Sequence, residues 1–269
     1  MTFISKLPPD TDPVVWERAV RLLVTVGRAY GKDPPRIDFR REALKLLDPV
    51  AGAIGTVPRV DESPNTATLR SSVWLAQVRF GDAGALSRAK RIFASGQGSI
   101  ADQRAALDIV GLAADASTFD ALLRRAKVAQ DPLERIRILR AMALAMDPNL
   151  SARMVDVALG PDVPAGSGGQ LLDIAGTENP ESVWRALAPY LARGPLPIDQ
   201  QLRWDVISDI AAGSADPTRI DDVRHYGEQD MPADARRPVE AAVTSIKLNE
   251  RVKAGALPDI DHWIASHAR

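Results

Sequence analysis

The chain has no cysteine. That excludes disulfides, thiolate metal sites and cysteine nucleophiles together. It leaves the compartment open, since a cysteine-free chain persists in cytosol and periplasm alike. Histidine is scarce as well, with only His225, His262 and His267. No His-Glu-x-x-His run occurs, so the zinc-binding helix of that motif is absent. His262 and His267 stand five apart, about 140° around a helix, and do not converge on one ion. No apolar run approaches ~18 residues, so no membrane-spanning helix is expected. The segment Met1 to Pro9 lacks the apolar core of a signal peptide. Neither charge dominates: 34 basic residues face 35 acidic ones, for a net charge of −1. This balance argues against a nucleic-acid interface, which rests on neutralised phosphates, and against a polybasic membrane anchor. No convincing stretch alternates apolar and polar residues, so almost no sheet is expected. There is no Gly-x-Ser-x-Gly elbow for a serine nucleophile.

What the chain does have is a repeat. A turn residue recurs at Asp82, Asp115, Asp147 and Asn179, and a looser copy falls at Asp216. An amphipathic segment precedes each one and another follows it. Two helices per period of about 32 residues is the pattern of an α-solenoid. The expected fold is therefore all-α, a superhelical array of antiparallel helix pairs of HEAT or armadillo kind. The boundaries read as one domain over 1–269. Within it are an N-terminal helix pair over 1–57, a loop over 58–68, about five repeats over 69–230 and capping helices over 231–269.

The twenty prolines fit this reading. Asp12-Pro13, Asp131-Pro132, Asp147-Pro148, Asn179-Pro180 and Asp216-Pro217 each place a capping side chain before proline. Proline at the first helical position loses no hydrogen bond, and each cap contributes about 1 kcal/mol. In the first helix, Val15, Ala19, Leu22, Leu23 and Val26 share the expected inner face. The second runs from about Phe39 to Ile54 and is expected to break at Pro49. Ser117 is expected to start the second helix of its repeat as a capping-box residue.

Few residues point to chemistry. Gly176-Thr177-Glu178-Asn179 has the form of a Gly-x-x-Glu-Asn loop but coincides with a repeat turn, where Asn179 reads as a helix cap. Gly166-Ser167-Gly168-Gly169 lacks the strand and the Lys-Ser/Thr of a phosphate loop. Arg70, Arg104, Arg137 and Arg203 recur early in the first helices of several repeats, as candidates for a row of cations facing a peptide. The competing reading, and the favoured one, is inter-repeat ion pairing with the abundant aspartates and glutamates, or a solvated face. The five tryptophans, Trp16, Trp74, Trp184, Trp204 and Trp263, read as packing residues.

Three segments carry a resemblance. They are Leu69-Arg70 through Gly81-Asp82 to Phe93, Thr118 to Leu123 with Asp131-Pro132 and Arg137 to Ala141, and the ending Leu257 to Ile264. Together they resemble the C-terminal helical region of zinc aminopeptidases of the aminopeptidase N family. The resemblance implies a helical bowl that closes over a catalytic cleft and limits entry of large substrates. It implies no catalytic or metal-binding residue here, because the zinc and its motifs lie in a separate upstream domain. The implied partners are that catalytic domain of the same parent polypeptide and a peptide substrate. Asp108 departs from the family, standing where many relatives have tyrosine. The alternative from the repeat alone is a free-standing scaffold that binds a protein or peptide in its groove. An enzyme with an unrecognised carboxylate site is the remaining one.

Overall fold

The computed structural model describes residues 1–31 and 33–267. The last two residues of the expected capping segment lie outside them. Among the described residues there is no strand, and the fold is an all-α helical-repeat fold. The chain forms two compact units: 1–109 with 252–269, and 110–251. It leaves the first unit within a helix, α5, and returns to it after α13.

In the first unit, α1 spans Pro13–Ala29, α2 Arg36–Ile54, α3 Pro64–Phe80 and α4 Ala83–Ser95, followed by the start of α5, Ile100–Leu112. Its core holds Trp16, Leu23, Tyr30, Phe39, Leu47 and Leu69. Each large apolar side chain of this kind contributes about 1.5–3 kcal/mol by burial. Phe39 sits 5.0 Å from Tyr30 and meets Phe80 edge-on at 5.9 Å, which fixes α2 against α3. The inner face of α1 is Trp16, Ala19, Val20 and Leu23, whereas Val15 and Leu22 point outward. The stripe is displaced from the expected one because it centres on Trp16, whose indole N–H donates to the Pro8 carbonyl at 2.9 Å.

The expected break at Pro49 does not occur, and α2 runs through it to Ile54. Pro49 and Lys45, whose carbonyl loses its partner to the proline, both lie on the exposed side. Leu46, Leu47, Val50 and Ile54 hold the helix from the buried side. The loop before the repeats is also shorter than expected. Ser63 caps α3 by accepting from the Thr66 amide at 3.1 Å, and Pro64 takes the first helical position.

In the second unit α5 ends and α6, Ala116–Val128, begins. Then come α7 Pro132–Ala143, α8 Pro148–Ala158, α9 Gly168–Glu178, α10 Pro180–Leu191, α11 Gln200–Ala212, α12 Thr218–Asp230 and α13 Arg237–Arg251. First helices pack in a row, α7 on α9, α9 on α11 and α11 on α13, while α8 packs on α10. Glycine sets the spacing at two of these seams. A β-carbon on Gly111 would lie 2.0 Å from the Ala141 carbonyl oxygen, so α5 and α7 touch backbone to backbone. One on Gly176 would lie 2.5 Å from Ile210, across the α9–α11 seam.

At three of the recurring turns the aspartate caps the second helix of its pair. Asp82, Asp115 and Asp147 accept from the amides of Ala85, Thr118 and Asn149. Asp115 therefore caps α6, and Ser117, expected to do so, instead donates its hydroxyl to the Asp115 carboxylate. Asp216 accepts from both the amide and the hydroxyl of Thr218, which holds its carboxyl below the usual range. Asn179 stands at the cap position of α10 without capping it. Its amide donates to the Ala145 carbonyl and to Ser151 Oγ in the preceding repeat. After α13 a π-helical segment, Val252–Ala256, leads into α14, Leu257–His267. Helix α14 closes the first unit: Tyr30 donates to Asp261 at 2.7 Å, and Trp263 donates to Thr2.

Candidate functional site

The most organised surface feature is the loop between α2 and α3. Gly55 ends α2 with a positive φ of 65°, which lets the backbone turn out of the helix. Glu62 then folds back toward Arg70, nearly two turns into α3. Both side chains are only 8% exposed, and they pair through both terminal guanidinium nitrogens. Arg70 also donates to the carbonyls of Gly55 and Ile54. The paired Arg70 holds the Glu62 carboxyl below its usual range, and Glu62 in turn raises Arg70. Two more arginines tie down the loop backbone. Arg59 donates to the Ala53 carbonyl, and Arg88 donates to that of Thr56 at 2.8 Å. Arg88 lies 4.1 Å from the ring centre of Trp74, which orients it. Asp61 takes φ +64°, a conformation rare for a residue with a side chain. Above this tethered backbone Val57 and Val60 stand 72% and 92% exposed.

Other large apolar side chains point to solvent from the same unit. Helix α1 turns Val14, Val15 and Leu22 outward, and Phe3 is exposed just before it. A cleft of about 550 Å³ lies between α2 and α14, lined by Pro34, Asp38, Glu42 and Lys45 on one side and Asp261 and Ile264 on the other. Its charges are already matched within α2, Arg41 to Asp38 and Lys45 to Glu42.

The four arginines of the sequence analysis do not share one environment. Arg70 is buried in the loop tether. Arg203 is buried on α11 and donates to the Leu196 carbonyl at 3.4 Å. Arg104 and Arg137 are exposed, Arg104 on α5 in the first unit and Arg137 on α7 in the second. Among the described residues Arg70 is held in an ion pair, and Arg104 and Arg137 stand on solvated faces. Trp16, Trp74, Trp184 and Trp204 are buried, and Trp263 stacks on His267 at 4.3 Å. Residues 176–179 are the end of α9 and its junction with α10. Gly168 and Gly169 open α9.

Acidic groups gather on α9 and α11. Burial raises the carboxyl of Asp173 above its ordinary value. It raises that of Asp209 too, with the charges of Asp173 and Asp205 adding to the shift. Among the described residues no group of three or more histidine and carboxylate side chains is placed to hold a metal ion. No described helix is long and apolar enough to cross a membrane.

Val57, Val60 and the Glu62 tether are not apparent from the sequence. The available signal was two valines three apart in a stretch otherwise made of proline, charge and small polar residues. No periodic pattern marks such a pair.

A helical-repeat fold with its polar groups used in caps and stitches defines a class of protein that presents surfaces. The family comparison is specific within that class: the ERAP1-like C-terminal domain matches residues 1–248. The chain belongs to this family, the C-terminal helical domains of aminopeptidases of the aminopeptidase N kind. No curated protein matches the chain.

Proposed function

We propose that this chain is the non-catalytic C-terminal part of a zinc aminopeptidase, packing against a separate catalytic domain and limiting which peptides reach its active site. Family membership across residues 1–248 carries the reading. The outward apolar side chains of the first unit support it, because an exposed apolar surface of this kind suits a docked partner. In this reading the helix pairs form a HEAT- or armadillo-like array. The zinc and the reacting groups belong to the catalytic domain. Arg104 and Arg137, whose side chains are exposed, are the proposed peptide-facing cations.

The test is to measure cleavage of aminoacyl amides and of peptides of increasing length by the catalytic polypeptide, with and without this chain. The chain alone should hydrolyse neither. Its addition should leave the amide rate nearly unchanged and alter the dependence on peptide length. Hydrolysis by the chain alone, or an unaltered length dependence when both parts are bound, overturns the reading.

A further inference from the structure

We propose that the loop over residues 55–63 is a preformed docking knob, which seats Val57 and Val60 in an apolar depression on the catalytic domain. The inference rests on the function proposed above and adds a location to it.

Five backbone carbonyls, those of Ala53, Ile54, Gly55 and Thr56 on the α2 side and Arg59 at the tip, accept hydrogen bonds from Arg59, Arg70, Arg88 and the Glu62 amide. The buried Arg70–Glu62 pair anchors the returning strand of the loop. A loop that only joins two helices needs none of this, since loops are ordinarily the mobile, replaceable parts of a fold. A rigid loop loses little conformational freedom on binding, so its contacts are realised almost fully as affinity.

What the loop presents is apolar. Single exposed apolar residues are common on protein surfaces. Two valines within four positions, on a backbone fixed by three arginines, are a different arrangement. Phe3, Val14 and Val15 are exposed in the same unit. The charges beside the valines are Arg59 and Asp61, one of each sign. They provide no positive field for an anionic membrane, which favours a protein surface as the occupant. Family membership then names which protein: the catalytic domain that this kind of domain accompanies.

The test uses this whole chain and the separately produced catalytic polypeptide of its parent enzyme, with the dissociation constant read by calorimetry. The variant is Val57→Ser with Val60→Ser, both at exposed positions, its fold checked by circular dichroism. Leu133→Ser, an exposed apolar position of the second unit, is the control. Wild type should bind, the double variant should bind about tenfold to a hundredfold more weakly, and the control should match wild type. Binding of the double variant within about twofold of wild type overturns the knob and leaves the functional reading standing. No binding by wild type overturns both. Self-association of the wild-type chain that the double variant abolishes makes a second copy the occupant and overturns the assignment to the catalytic domain.

Discussion

Replacing Glu62 by glutamine removes one charge from an enclosed ion pair of the first unit. Both side chains are 8% exposed, so the pair belongs with buried rather than surface ion pairs. Breaking a buried pair by removing one partner costs about 3–5 kcal/mol, because the other charge stays desolvated. Here the carbonyls of Ile54 and Gly55 remain as acceptors for Arg70, and glutamine keeps one acceptor oxygen. The lower end, about 3 kcal/mol, is therefore expected. Unfolding entropy is about 2.1 cal/mol/K per residue, so a first unit of roughly 130 residues melting alone would lose about 11 °C, and the whole chain melting together about 5 °C. Thermal melts followed by circular dichroism at pH 7 read this directly. The gap must also depend on pH. The hydrogen bonds from Arg70 hold the folded Glu62 carboxyl below its ordinary value. Its stabilisation is complete above the unfolded value of about 4.3 and is lost as pH falls through the lower folded value. Wild type and variant should converge on acidification. Adding Arg70→Met to the variant should recover part of the loss, since no unpaired charge then remains buried. Equal melting points at pH 7, or a gap that widens toward acid pH, would refute the tether.

Three further substitutions test other parts of the fold. Gly111→Ala places a methyl group against the Ala141 carbonyl and should cost about 3 kcal/mol or more, read as a lower urea midpoint; a loss under about 0.5 kcal/mol would mean that α5 and α7 separate easily. Asn179→Ala should cost about 1–2 kcal/mol and Asn179→Asp more, because a carboxylate would face the Ala145 carbonyl; equal stability of the two would deny the stitch. Tyr30→Phe should cost about 1 kcal/mol at neutral pH through the lost bond to Asp261. Burial first, and then that bond, raise the Tyr30 hydroxyl well above its ordinary value, so its stabilisation is present below about pH 10 and lost above it; alkaline urea titrations should show wild type weakening faster than the variant.

The helices and their starts were largely legible because their signals are local. An acidic residue before proline caps a helix whatever surrounds it, and Asp12, Asp131 and Asp147 do so here. Departures came where a distant contact overrode the local signal. Pro49 reads as a breaker, yet the burial of four apolar side chains on the opposite face keeps α2 whole. Asn179 reads as a cap, yet the preceding repeat offers its amide a carbonyl and a hydroxyl. Ser63-Pro64 follows the same cap-and-proline rule as the aspartates, but the polar turn after it hides the start of α3. The environments of the four arginines were not legible at all. What buries Arg70 is a glutamate eight residues earlier on a loop, and what buries Arg203 is packing within the second unit.

The two units use their polar side chains differently, and this explains why the repeat is readable and the docking surface is not. In the second unit the bonds run from one repeat to the next at nearly constant separation. Arg153 reaches Asp120 across 33 residues, Tyr190 reaches Asp156 across 34, and Asn179 reaches Ala145 across 34. Arg219 pairs with Glu181 across 38, and Asn249 holds the carbonyls of Ala212 and Ser214 across 37 and 35. In such an array each repeat is stabilised chiefly by its neighbours, so selection on stability writes the same period into the sequence. Among the described residues the first unit shows one bond at that separation, Arg88 to Thr56 across 32, and it ties down the loop. Its arginines fix one loop, and Tyr30 and Trp263 fasten its two ends together. A valine at a loop tip is selected by whatever surface it meets, and that requirement has no period. Substitutions along the second unit's stitches should therefore change stability in proportion to the bonds lost. Substitutions at Val57 and Val60 should leave stability alone and change only what the chain can bind.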